Sequence, residues 1–174
     1  MKRTVLTFGL ISGALLSAMM LVMMLFIDQI GMDHGMVIGY TTMVLAFLLV
    51  FFGIRSYRDT VGGGQISFAR AVGVGVLITV IASVCYVITW EIIYFNFLPD
   101  FGDKYAAHAI ESVRASGKPP AEIEREIEQM RSMMDLFKNN ILFNIAIAFL
   151  EPLPVGLVMT LISALVLRKR APAE

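Results

Sequence analysis

The chain has 174 residues, 14 basic and 14 acidic, with no formal net charge; 57% of it is hydrophobic and only 16% charged. A soluble domain sits nearer a quarter charged and under half apolar, so an ordinary water-soluble globule is excluded. Zero net charge provides no field for gathering nucleic acid, and a lone Cys85 cannot close an internal disulfide.

The apolar residues gather in four runs. The first, Thr4 to Ile27, spans about 36 Å as a helix, enough to cross a ~30 Å hydrocarbon core with tilt. Lys2 and Arg3 lead it. The run is long for a signal-peptide core and no small-x-small site closes it, so it reads as an uncleaved signal anchor. The other runs are Met36–Ile54, Ala71–Leu98 and Ile141–Leu167. Backbone groups in hydrocarbon must pair within their own segment, so all four are expected to be helices.

Loop charges set an expected direction. Lys2, Arg3, Arg55, Arg58, Arg70, Arg168, Lys169 and Arg170 flank one end of the spans, whereas the loop from Asp28 to Gly35 has two aspartates and no basic residue. The positive-inside bias places both termini in the cytoplasm. The segment from Pro99 to Asn140 then falls outside; its six basic and eight acidic residues give little bias of their own.

Two spans carry small residues every fourth position: Gly9, Gly13 and Ser17, then Ala71, Gly75, Thr79 and Ser83. Such faces let helices approach closely in lipid. They are expected to be seams within the bundle, with a homodimer seam as the rival reading. Between spans two and three lies "RSYRDTVGGGQISFARA". It lacks the Gly-Lys-Ser/Thr of a phosphate loop, so its glycines read as a turn. Ser67 is the expected N-cap of span three, with Arg70 snorkelling toward lipid phosphates.

In the outer segment, Phe101, Tyr105, Ala109 and Val113 mark one face of a helix that stops at Gly117–Pro120. A second helix begins near Ala121, just after a proline. Its apolar stripe is Ile123, Ile127, Met130, Met134 and Phe137; Glu122, Glu124, Arg125, Glu128 and Arg131 form its polar face. This amphipathic pair is expected to cap the bundle, lie on the membrane, or dock a partner.

The stretches "GMVIGYTTMVLAFLLVFFGIRSYRD", "GGGQISFARAVGVGVLIT" and "YVITWEIIYFNFLPDF" resemble a bacterial family of small four-span membrane proteins known only as a domain of unknown function. The resemblance covers nearly the whole chain. It implies the four-span architecture and brings no reaction, substrate or cofactor.

"AIAFLEPLPVGLVM" places Glu151, Pro152 and Pro154 inside the fourth span, and Glu91 lies near the end of the third. A carboxylate at a span's centre costs about 2.5–3.5 kcal/mol on insertion scales and normally faces the bundle interior. Glu91 and Glu151 differ in depth by roughly 6 Å, close enough to share a proton, bind a cation or form a relay. The structural alternative has Glu151 bonding a carbonyl freed by the proline kink and Glu91 bonding Tyr86, Tyr94 or Trp90. Asn144 suits a wet path or an interhelical hydrogen bond. Met32, His34 and Met36 alternate in "GMDHGM"; their soft donors suit Cu(I), against which stands methionine's ordinary role as adaptable packing. No Gly-x-Ser-x-Gly elbow and no His-Glu-x-x-His is present.

The expected fold is thus all-α: an integral membrane four-helix bundle with an extracytoplasmic helical hairpin at about 99–140, in the bacterial inner membrane. The expected role is non-enzymatic and cofactor-free, acting through helix packing with the lipid bilayer and a homodimer, membrane or periplasmic protein partner, and no nucleic acid. The alternative is a small proton- or cation-coupled transporter using Glu91 and Glu151.

Overall fold

A computed structural model describes residues 1–98 and 100–169, and the side chains of all of these except Asp28, Met32 and Asp33. Arg170 of the basic tail and the Met32 side chain therefore lie outside the described residues. The described chain is helical throughout: α1 (Lys2–Leu25), α2 (Ile27–Ile30), α3 (Met32–Thr60), α4 (Phe68–Asn96), α5 (Phe101–Arg114), α6 (Pro120–Asn139), α7 (Ile141–Leu150) and α8 (Pro152–Leu167). No strand occurs among the described residues; Ile66 and Lys169 form one isolated antiparallel bridge. Four stretches are long and apolar enough to cross a membrane: Lys2–Leu25, His34–Thr60, Phe68–Asn96 and Ile141–Leu167.

Helix starts and stops follow local chemistry. Ser67 Oγ accepts the Arg70 amide at 3.3 Å, the N-cap bond expected of it. Asn140 Oδ1 does the same for the Phe143 amide at 3.1 Å, opening α7. The region expected to be a loop from Asp28 to Gly35 is mostly helical. The short α2 ends at Gly31, whose φ of 77° suits a residue without Cβ, and α3 starts directly after it.

The chain divides into two compact units, one of Met1–Trp90 with the segment from Ala148 onward, the other of Glu91–Ile147. The first unit packs α1, α3, α8 and α4 as far as Trp90. Its interior is lined by small and hydroxylated residues: Ser12, Thr79, Ser83 and Thr160 are buried among Phe47, Val50, Ile54, Val74 and Ile78. Its outer faces carry Leu10, Leu48, Leu77, Ile88, Val158 and Leu165, all exposed. This is the reverse of a soluble domain and fits lipid as solvent: hydrocarbon does not penalise an exposed leucine, and polar side chains are kept from it, Thr79 and Thr160 paired and Ser12 and Ser83 without a hydrogen-bond partner among the described residues.

The two small-residue seams are both filled within the chain. A Cβ on Gly9 would lie 2.8 Å from Ile81 Cβ, and one on Gly13 would lie 2.6 Å from Cys85 Cβ. Thr89 Oγ1 donates to Ser17 Oγ at 2.7 Å. Residues 9, 13 and 17 thus meet 81, 85 and 89, a parallel α1–α4 contact in constant register. The second seam is antiparallel: a Cβ on Gly75 would stand 2.5 Å from Thr160 Cγ2, and one on Gly156 would stand 2.3 Å from Thr79 Cγ2. The hydroxyls of Thr79 and Thr160 share a hydrogen bond at 3.4 Å.

The second unit holds α5 and α6 packed on each other. Pro120 opens α6, and Gly117, at φ 71°, makes the turn before it. Phe137 meets Tyr94 edge to face, ring centroids 5.6 Å apart. On the expected face of α5, Phe101, Ala109 and Val113 are half-buried. Gly102 is buried, 3.6 Å from Met134 Sδ as measured from its would-be Cβ, whereas Tyr105 is exposed and stacks on Phe101. The strict four-residue repeat drifts around a 3.6-residue helix, and glycine permits the closer approach.

Candidate functional site

The α4–α8 seam ends at the break in the fourth span. Pro152 and Pro154 cannot donate backbone hydrogen bonds, so α7 stops at Leu150 and α8 starts at Pro152, with Glu151 at the joint. Glu151 retains helical torsions, φ −66° and ψ −55°, so the chain turns there without unwinding. Its Oε2 accepts a hydrogen bond of 2.7 Å from the hydroxyl of Tyr86, a largely buried side chain. Glu151 itself is exposed at the surface of its unit, not enclosed in the bundle interior. The partner a kinked carboxyl needs is therefore a phenol on the neighbouring helix, not a carbonyl freed by the kink.

Both carboxyl oxygens of Glu91 are shielded and neither has a hydrogen-bond partner among the described residues. An unmet carboxyl of this kind is expensive wherever water is excluded. Tyr94, one turn along, is buried beside Gly102 and Phe137. Asn144 is almost fully buried and its Nδ2 donates to the Phe137 carbonyl at 3.4 Å, a link from the first turns of α7 to the end of α6.

"GMDHGM" forms the start of α3, so its methionines and histidine follow a helical period and not an alternating one. Two positions along a helix project about 160° apart, which points His34 and Met36 to opposite sides. Both are exposed, and the structure does not bring them to a common point. Among the described residues, no three His, Cys, Asp or Glu side chains gather as a metal cluster would.

The glycine turn after α3 spends its amides on the chain itself. Gly62 N–H donates to the Tyr57 carbonyl at 3.1 Å, Gly64 N–H to Arg58 at 3.0 Å and Gln65 N–H to Gly62 at 3.1 Å. A Cβ on Gly62 would sit 2.1 Å from the Gln65 carbonyl oxygen, so glycine is required for the chain to fold back here. Beside the turn, Arg70 Nη1 donates to the Tyr57 hydroxyl at 3.3 Å. Ser67 and Arg70 are legible in the sequence and Tyr86 is there as a partner for Glu91, but its bond to Glu151 and the role of Tyr57 are not: an aromatic hydroxyl in an apolar run has no assigned partner until the neighbouring helix is known.

On α5 and α6 the charges pair. Lys138 donates to Asp103, and Lys118 Nζ lies 2.5 Å from Glu126 Oε1. Hydrogen bonding to these carboxylates pushes both lysines above their ordinary range. The face with Glu122, Glu124, Arg125, Glu128 and Arg131 is fully solvated.

The model of one protein family, described as a protein of unknown function (DUF4199), matches residues 7–169. No curated protein matches the chain, and neither does any solved structure.

Proposed function

The chain belongs to the DUF4199 family of unknown function, and from that premise we propose that it is a multi-pass protein of the bacterial cytoplasmic membrane. In this reading both termini are cytoplasmic and the protein acts without catalysis, through its helix bundle and a partner met by α5 and α6. One observation carries the reading: in the first unit serine and threonine are buried while leucine, valine and isoleucine face outward. Of the buried hydroxyls, Thr79 and Thr160 join α4 to α8, whereas Ser163 donates to the Met159 carbonyl within α8. Both small-residue seams are occupied inside the chain, which leaves the charged outer face of α6, with no buried residue on that helix, as the surface for a protein partner.

Labelling with a membrane-impermeant maleimide tests the topology. In a Cys85→Ser background, a cysteine at Gln65 should react only from the cytoplasmic side and one at Glu124 only from the outside. Reaction of both from one side would end the four-span reading. Site-specific photocrosslinking from Arg131 then tests the partner: one defined adduct supports it, and no adduct beyond lipid removes it.

A second reading, coupled proton or cation movement, is favoured by the unpaired carboxyl of Glu91. It requires a pH-dependent flux in reconstituted vesicles that Glu91→Gln abolishes while the Gln65 and Glu124 labelling pattern persists.

A further inference from the structure

The ends of three helices of the first unit come together at the glycine turn. Backbone bonds between Ile66 and Lys169, 3.1 and 3.0 Å long, pin the end of α8 to the segment that opens α4. The Arg70–Tyr57 bond ties the start of α4 to the end of α3. This gathers Arg55, Arg58, Arg70, Arg168 and Lys169 onto one rim.

Their charges are poorly compensated. Asp59 is shared by Arg58, at 2.7 Å, and Arg55, at 3.8 Å. Arg70 has the neutral Tyr57 hydroxyl, and no carboxylate pairs with Arg70, Arg168 or Lys169 among the described residues. Four of the five cations are exposed, and Arg58 partly so. Directly along the same helices lie exposed apolar side chains: Phe52 on α3, Phe68 on α4, and Leu165 and Val166 on α8.

A rim of five cations with only Asp59 paired among them, above an apolar wall, matches one class of ligand, a molecule with a phosphate-bearing head and hydrocarbon tails. Guanidinium forks bind phosphate oxygens in pairs, and the exposed apolar residues lie where acyl chains would run. We propose that this rim binds the anionic headgroups of phospholipids, with Arg70 held in place by Tyr57 and Lys169 placed by its bridge to Ile66. A free anion would gain nothing from the apolar wall, and the amides of Gly62, Gly64 and Gln65 are already spent on carbonyls. The proposal rests on the membrane reading above, but it concerns headgroup choice and not insertion.

The test uses full-length protein in neutral detergent, titrated with dioleoyl-phosphatidylglycerol, dioleoyl-phosphatidylcholine or inorganic phosphate, with retained lipid read by native mass spectrometry. Phosphatidylglycerol should be retained and phosphatidylcholine should not. Each neutralised cation should weaken binding about five-fold, so Arg70→Gln with Lys169→Gln should weaken it roughly 25-fold, while Arg70→Lys keeps it. Arg125→Gln with Arg131→Gln, on α6, should change nothing. If the first double variant does not fold, Arg55→Gln with Arg168→Gln serves in its place. Equal retention of the two lipids, unchanged binding by the rim variants, or displacement of phosphatidylglycerol by millimolar phosphate would each overturn the proposal. Equal retention alongside an intact labelling pattern would remove the headgroup site and leave the membrane reading standing.

Discussion

The hydroxyl of Tyr86 donates to Glu151 Oε2 at 2.7 Å, so the one carboxyl at the break in the fourth span is tied to the third. Removing the hydroxyl leaves an acceptor unmet in apolar surroundings. Tyr86→Phe and Glu151→Leu should each destabilise the protein, and a double-mutant cycle should show a coupling of about 0.6–1.7 kcal/mol. Reversible unfolding in mixed micelles measures it. Strictly additive effects would mean that the bond contributes nothing. Glu151→Gln, which keeps an acceptor, should lie close to the parent.

The seam between α4 and α8 has no room for a methyl group. Gly75→Ala and Gly156→Ala each force a Cβ against a threonine side chain at 2.5 and 2.3 Å, which should cost about 1–3 kcal/mol of overpacking. Gly73, two positions from Gly75, has nothing within 4 Å of its would-be Cβ. Gly73→Ala should be neutral, or stabilising by up to ~1 kcal/mol through helix propensity. The same unfolding assay compares them, and a Gly75→Ala protein as stable as Gly73→Ala would refute the close approach.

Two helix starts depend on one side chain each. Ser67→Ala and Asn140→Ala should each cost about 1 kcal/mol, seen locally as faster amide exchange at Arg70 and Phe143. Ser67→Asp, which can still accept the Arg70 amide, should keep exchange slow. If Ser67→Ala leaves the Arg70 amide as protected as before, the cap is not made in solution.

The lysine pairs on α5 and α6 predict an alkaline response. Bonds to Glu126 and Asp103 raise Lys118 and Lys138 above the ordinary lysine value. A raised folded value means that the stabilisation is fully present below ~10.4 and is lost as pH climbs through the folded value. The loss should be small because Lys118 is exposed and Lys138 partly so. The difference in proteolytic resistance of the Phe101–Asn139 region between the parent and a Lys118→Gln, Lys138→Gln variant should be present at pH 8 and fade as pH climbs past the ordinary lysine value. A difference that grows with alkalinity would contradict the pairing.

Much of the membrane architecture was legible from residue order. Ser67 could be recognised as a cap because capping is settled within one turn of chain. Gly9, Gly13 and Ser17 could be recognised as a seam because helical spacing puts them on one face. Tyr105 lies exposed on the otherwise half-buried Phe101–Val113 face of α5 because four-residue spacing only approximates the helical period, and the burial of Gly102 depends on what α6 presents. "GMDHGM" looked like an alternating loop because the long run of α3 that it joins lies beyond these six residues.

By itself, the sequence determined where hydrocarbon-compatible helices run, where prolines interrupt them and which ends carry positive charge, because these depend on neighbours along the chain and on the solvent. Tertiary structure alone decided that Tyr86 meets Glu151, that Glu91 has no hydrogen-bond partner among the described residues, that the small-residue seams close within one chain and that Arg70 and Lys169 share a rim. Those facts depend on the register between helices distant in sequence, and register is set by which side chains can pass one another when the helices pack.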